Sequence, residues 1–521
     1  MHLRFVCSLC CIACGLSAGD WPQWCGTDGK NMISGEKGLP DSFVPGTKRA
    51  ADIDLATAKN VKWGVKICNA CFSTPCIASG KVFIGGVENR EGIFACLDAA
   101  TGKLLWKWQA PCKKIPHNID GFSIGISEIP PQLGVCATAA VDGERLYFVS
   151  NRFEVVCLDA NGEPGTEKAR VVWICDMQEQ FGVFPCDAAN GSPLIDGDLL
   201  YVQTSNGIDR NTFREPAKEK NRKFPAPNAP NLIVLDKRTG KLVATDDGQI
   251  TPNILHGQWS CPSMGVVDGK KLIFYAGGDG RCYAYEAVAP ASVVAPASVP
   301  ATPEKPVKLK TVWSFDCIPP EYKIPAKDDP ITHYALGDKR CMGTLNKHDG
   351  TFVGMSEIIA TPVFVNNRIY LAIGRDPEHG RGRGAMHCID ATKTGDITAT
   401  GRIWTYQGLD RTLSTASVVD GLVYISDVAG RLHCLDAETG KPYWVHEAKC
   451  ETWGSTLVAD GKVLMPTSKG LFVLKAGKEL GLLNQITVGA KVHASPVVAN
   501  GVMYVASTGG WIWAVQQGHQ Q

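Results

Sequence analysis

Apolar residues fall in short runs along most of the chain, and the runs recur in one order. A small residue, often followed by proline, precedes two apolar residues. Then come Asp-Gly or Asn-Gly and an alternating apolar strand, as in Ser192-Pro193-Leu194-Ile195-Asp196-Gly197 and Ser495-Pro496-Val497-Val498-Ala499-Asn500-Gly501. Alternation with a period of two marks strands, and Asp-Gly or Asn-Gly supplies the positive φ of a tight hairpin. A second phrase follows. Cys96-Leu97-Asp98-Ala99-Ala100-Thr101-Gly102-Lys103-Leu104-Leu105-Trp106 returns as Cys434-Leu435-Asp436-Ala437-Glu438-Thr439-Gly440-Lys441-Pro442-Tyr443-Trp444. Looser copies begin at Cys157, Leu235 and Cys388.

Each unit therefore predicts strand, turn, strand, turn, strand, Thr-Gly-Lys turn and a last strand that often carries tryptophan. Eight units start near Thr74, Thr138, Ser192, Pro262, Thr361, Thr415, Ser455 and Ser495. A period of this length built from four strands predicts an all-β chain, an eight-bladed β-propeller of four-stranded antiparallel blades. The last unit runs out of chain after its third strand, near Val515. The expected remedy is that Asn60-Val61-Lys62-Trp63-Gly64-Val65 supplies the fourth strand and closes the ring, with Trp63 in the place of Trp106 and Trp444.

The expected organisation is a signal peptide at 1–18, an N-terminal extension at 19–59, one propeller at 60–516 and a tail at 517–521. Segments 207–230, 287–310 and 317–358 are read as insertions. The Pro/Ala/Val-rich tract at 287–310 looks like a linker, but the fourth strand resumes at Val312-Trp313, so it is a loop within one blade.

Composition changes the picture in three places. A net charge of +1 gives no electrostatic reason to expect nucleic acid. Arg4, the apolar stretch Phe5 to Leu16 and the small residues Ser17-Ala18 read as an export signal, with cleavage after Ala18. That stretch is too short to span a bilayer permanently, and no second apolar run reaches membrane length. The expected location is periplasmic or extracellular; lipid anchoring at Cys14 is a minor alternative. Four of the 21 cysteines lie in the signal, so 17 remain, an odd number that leaves at least one thiol unpaired. Cys96, Cys157, Cys282, Cys388 and Cys434 hold equivalent places in different blades. Facing sheets lie about 10 Å apart, and a disulfide needs Cα atoms within about 7 Å, so they are read as buried thiols. One local bridge is expected among Cys68, Cys71 and Cys76, and a Cys317–Cys341 bridge across the longest insertion.

These phrases resemble the pyrroloquinoline-quinone (PQQ) type of propeller repeat, whose docking phrase is Ala-x-Asp-x-x-Thr-Gly-Lys-x-x-Trp. Residues 96–106 and 434–444 match it from the aspartate onward. The chain is similar in particular to exported bacterial PQQ-binding-like β-propeller repeat proteins. The marks are Trp21-Pro22-Gln23-Trp24, the stretch Leu255 to Ser260, Ser356 to Pro362 and Ile389 to Asp396. The resemblance implies that each docking tryptophan packs against the Thr-Gly turn of the neighbouring blade.

It implies two functions. One is a quinoprotein dehydrogenase, which holds PQQ with calcium in the channel, uses an aspartate base and often has adjacent cysteines over the quinone. Here adjacent cysteines occur only at Cys10-Cys11, no Cys-x-x-Cys-His haem motif is present, and no calcium or base set is placed by motif. The other is a cofactor-free binding or scaffolding module, as in a related propeller of outer-membrane barrel assembly, and this is the expected function. An envelope protein or a polysaccharide is the expected partner, and a monomer the expected state. No catalytic residue is assigned. The residues expected at the channel rim are His256, Gln258, Trp259, Arg411, Trp453 and His493, a set able to grip an anionic or aromatic ligand or simply to fill the channel. No metal site is expected. Cys317, His333, Cys341 and His348 match no standard zinc spacing. Gly277-Gly278-Asp279-Gly280 precedes no helix and reads as a turn, and Asp376, His379, Arg381 and Arg383 read as a solvated loop.

Overall fold

The computed structural model describes the chain except residues 1–18, 51, 116–117, 120–121, 124–126, 129–131, 187, 208–224, 248–249, 255–256, 290–305, 323–356, 375–382 and 521. The expected signal, Cys14, Cys341, His333, His348, Asp376, His379, Arg381 and His256 lie outside the described residues.

Eight sheets, each a four-stranded antiparallel meander, follow one another along the chain. The first runs Cys76–Ala78, Lys81–Glu88, Glu91–Asp98 and Leu104–Pro111. Burial explains the sequence pattern. The second and third strands are buried nearly throughout, as in Glu91–Asp98, because neighbouring sheets cover both faces. Fourth strands are partly exposed; in Leu104–Pro111 only Trp106 and Trp108 are buried. The eighth sheet has the order Val497–Ala499, Val502–Ala506, Trp511–Gln520 and then Lys59–Lys66, so strands from both ends of the chain pair in it. Its third strand runs to Gln520, past the boundary expected at 516.

Three short strands extend the meanders. Val307–Lys308, at the end of the expected 287–310 loop, pairs in parallel with the outer strand of the third blade. Gly395–Asp396 does the same on the fourth blade. Ile33–Ser34 pairs with the innermost strand of the seventh. Among the described residues the only α-helix is Met177–Phe181, capped by the Asp176 carboxylate and by Gly182 in the left-handed region. No described helix is long and apolar enough to cross a membrane.

The repeated phrase builds the blade-to-blade joint. The Asp98 carboxylate accepts from the backbone N–H of Ala100 and Thr101 and from the Thr101 hydroxyl, and Asp436 repeats this with Glu438 and Thr439. The turn so formed holds Gly102 at φ +74° and Gly440 at φ +70°. Against it lies the tryptophan of the preceding blade. A Cβ on Gly102 would sit 2.7 Å from the Trp63 ring, and one on Gly440 2.5 Å from Trp404. Glycine is thus required twice there, for its positive φ and for its bare face. The indole N–H then donates to a carbonyl of the same turn: Trp63 to Ala99 (3.0 Å), Trp106 to Ala160 (3.1 Å), Trp173 to Lys237 (3.1 Å), Trp313 to Ala391 (3.1 Å) and Trp404 to Ala437 (3.0 Å).

All sixteen described cysteines are free thiols. Cys96, Cys157, Cys388 and Cys434 are buried, and burial pushes each thiol up to about 12. The local bridge expected among Cys68, Cys71 and Cys76 is not formed. Each Sγ–H donates to a backbone carbonyl instead, Cys68 to Ala70 (3.1 Å) and Cys71 to Gly85 (3.1 Å).

Candidate functional site

The innermost strands open on a collar of short polar side chains, one from each blade. Their side chains and neighbouring groups tie each blade to the next. Thr138 N–H donates to Ser192 Oγ (3.0 Å), and Ser192 N–H to Cys261 Sγ (3.2 Å). Thr361 N–H donates to Thr415 Oγ1 (3.2 Å), Thr415 to Ser455 Oγ (2.8 Å) and Ser455 to Ser495 Oγ (2.9 Å). Ser495 N–H donates to Thr74 Oγ1 of the first blade (3.0 Å). The two remaining junctions use hydroxyl donors: Thr138 Oγ1 to the Thr74 carbonyl and Ser260 Oγ to the Ala360 carbonyl.

In the segment that leads into each inner strand, the residue two places before the collar residue faces the same cavity. Those residues are Phe72, Cys136, Asn190 and Trp259 from the first four blades, and Ile359, Leu413, Trp453 and His493 from the last four. Together with the collar they line a cavity of about 300 Å³. Three sectors result. Trp259, Ile359 and Leu413 make an apolar wall with Cys186. Trp453, His493 and Phe72 make an aromatic wall, with the Trp453 and His493 rings 4.4 Å apart and Phe72 edge-on to His493 at 6.2 Å. Cys136 and Asn190 complete the circle.

The segment 20–36 lies across this assembly as a brace. Trp21 exchanges backbone hydrogen bonds with Ile77 of the first blade, and the Pro22 carbonyl accepts from Val141 of the second. Asp28 and Gly29 carbonyls accept from Met264 and Phe364 in the fourth and fifth. Asn31 brackets Val418 of the sixth blade through both its amide atoms. Ile33 and Ser34 pair with the seventh, and Ser34 and Glu36 bond to Val498, Asn500 and Gly501 of the eighth. Within this segment Trp24 reaches the cavity, its indole N–H donating to Thr361 Oγ1 (2.9 Å). The expected N-terminal extension is thus bonded to seven of the blades.

Of the six rim residues expected, the structure brings Trp259, Trp453 and His493 together in the cavity wall. Gln258 is turned away. Its amide donates to the Asn206 carbonyl and to Asn231 Oδ1, and its Oε1 accepts from Tyr275, all buried. Arg411 is fully buried and does not line the cavity; its backbone N–H donates to the Asp410 carboxylate. Trp24, Phe72, Asn190 and the hydroxyl collar were missed. The signal for them was present: each lies at or two residues before a unit start, save Trp24, which sits in the Trp21-Pro22-Gln23-Trp24 mark.

The electrostatics of the cavity are simple. Among the described residues its lining holds no aspartate, glutamate, lysine or arginine. Burial, with Lys491 nearby, pulls His493 down to about 4, so its ring is neutral near pH 7. No group of His, Cys, Asp or Glu able to hold a metal ion occurs among the described residues. PQQ is a tricarboxylate, and calcium takes six to eight oxygens, carboxylates above all. The described lining offers neither cationic partners for the one nor carboxylates for the other, and the residues do not fit that pair.

An eight-bladed propeller of PQQ-type repeats around a cavity whose described lining carries no charged side chain defines the class. The family model described as outer membrane protein assembly factor BamB matches residues 90–287 and 393–479, more than half of the chain, and the chain belongs to that family. The fold is shared with BamB from Moraxella catarrhalis at 13% identity and a TM-score of 0.51, over 88% of this chain and 98% of that one. It is shared as well with a europium-containing methanol dehydrogenase at 13% identity and a TM-score of 0.54, over 94% and 89%. No curated protein matches the chain by sequence.

Proposed function

We propose that this chain is a non-catalytic binding or scaffolding module of the cell envelope, exported by its first 18 residues to the periplasm or beyond. The observation that carries this reading is the absence of charged side chains from the described lining of the cavity. Hydrolytic and redox chemistry need a placed base, a cation or an electron sink, and the described wall supplies hydroxyls, thiols, indoles and a neutral imidazole. A rigid ring presenting variable side chains at one repeated position suits recognition instead. Membership of the BamB family supports the envelope location and a protein partner there. The second reading, a PQQ-dependent dehydrogenase, draws on the methanol dehydrogenase likeness, which concerns the fold alone.

The test is turnover. The full chain is incubated with PQQ, calcium, a panel of primary alcohols and an artificial electron-accepting dye, alongside fractionation of producing cells. The reading expects no dye reduction and recovery of the protein with the envelope. Alcohol-dependent dye bleaching overturns it.

A further inference from the structure

The cavity wall carries polar atoms that none of the described residues satisfies. Trp453 Nε1, both ring nitrogens of His493 and Asn190 Oδ1 are shielded and have no hydrogen-bond partner. Leaving a buried donor or acceptor unpaired costs about 1–3 kcal/mol, and a ligand that pairs it recovers that cost. The collar adds donors. Ser192, Thr415, Ser455 and Ser495 each accept a backbone N–H through the hydroxyl oxygen, which leaves the hydroxyl proton to give.

These facts restrict the ligand. A hydrocarbon would cover the aromatic wall and leave the polar atoms unpaired. An anion or cation would lose its hydration with no opposite charge in the described wall to replace it. What fits is a neutral ring with an apolar face to lie on Trp453 and hydroxyls that both donate and accept around its rim. Asn190 Oδ1 asks for a donor, Trp453 Nε1 for an acceptor, and the neutral His493 ring for one of each. A volume of about 300 Å³ lies at the small end of ligand sites, room for a compact ligand rather than a polymer strand.

We propose that the channel cavity binds a neutral sugar of one or two rings. This inference rests on the reading of the chain as a non-catalytic binding module and names what the module takes.

The experiment follows tryptophan fluorescence and titration heat as glucose, galactose, N-acetylglucosamine and cellobiose are added to the full chain, with glucuronate as the charged control. At least one neutral sugar is expected to bind and to be recovered unchanged, with glucuronate weaker by about tenfold or more for an uncompensated charge. Trp453→Phe keeps the aromatic face and removes the N–H, and Asn190→Leu removes the acceptor. Each is expected to weaken binding by about tenfold, the loss of one hydrogen bond, with the unfolding midpoint unchanged. The inference fails if no neutral sugar binds even at millimolar concentration, or if both variants bind as well as the parent. Failure here with no dye reduction leaves the envelope-module reading standing. Dye reduction with PQQ removes that reading and this inference with it.

Discussion

The outer joints and the inner collar both repeat around the ring, and they differ in what repeats. At the outer joint the side chains themselves recur: aspartate, threonine, glycine and a tryptophan that lies on the next blade's turn. At the collar the position recurs with a short polar residue, while the residue two places earlier changes from Phe72 to Cys136, Asn190, Trp259, Ile359, Leu413, Trp453 and His493. At six of the eight junctions the outer joint seats a tryptophan on the next blade's turn, through Trp63, Trp106, Trp173, Trp313, Trp404 and Trp444, so it tolerates little change. The inner position faces a cavity rather than a neighbour, so each blade can present a different group. On the proposed function, stability resides chiefly in the first region and recognition in the second.

The comparison breaks most visibly at the tryptophans. Trp313 is fully buried, with its indole N–H satisfied by Ala391. Trp313→Ala is expected to destabilise the chain by about 3–5 kcal/mol, read from the denaturant midpoint. A loss under about 1 kcal/mol would show that the docking joint is not where stability resides.

Acid should act next. His387 is fully buried, its Nε2–H donating to the Cys317 carbonyl (2.7 Å) while Nδ1 accepts from Thr405 (2.9 Å). Burial pulls it down to about 4. Its folded value lies below its unfolded one, so the unfolded chain takes the proton first. The contribution is whole above about pH 6.5 and is lost as pH falls toward about 4, an effect of about 3 kcal/mol. His387→Gln should flatten the stability profile across that window, and an unchanged slope contradicts the assignment.

Two glycines separate backbone strain from docking. Gly80 has φ +72° with open space at its Cβ position, and Gly102 has φ +74° beneath the Trp63 ring. Alanine should cost about 1 kcal/mol at Gly80 for the left-handed backbone. It should cost more at Gly102, where the ring must also move. Equal losses in thermal unfolding would mean that the ring does not press on the turn.

The smallest effect belongs to the collar. Thr415→Val removes the acceptor of the Thr361 N–H and should cost about 1 kcal/mol, while Thr415→Ser should restore most of it. A valine variant as stable as the parent would show that the collar hydroxyls do not tie the blades.

The outer joint was legible because its chemistry is local. Asp98, Thr101 and Gly102 make their turn within five residues, and Trp106 and Trp444 follow such turns at the same offset. The collar was legible as a set of unit starts, Thr74 to Ser495, but its bonds cross from blade to blade and have no signature in a single unit. Gln258 and Arg411 show the limit of reading the rim from position. They neighbour true wall positions, yet Gln258 is turned toward Asn206, Asn231 and Tyr275, and Arg411 is buried beside Asp410. The brace from Asp20 to Glu36 was less legible still. Its partners lie as far as 480 residues away, and only the Trp21-Pro22-Gln23-Trp24 mark announced it.

The chemistry of the described cavity lining suits a neutral ligand and not a calcium-held quinone. Calorimetric titration of the full chain with PQQ, with and without calcium, tests it most directly. No saturable heat and no change in the quinone absorbance are expected under either condition. Calcium-dependent binding in the micromolar range or tighter, with an altered quinone spectrum, would contradict it.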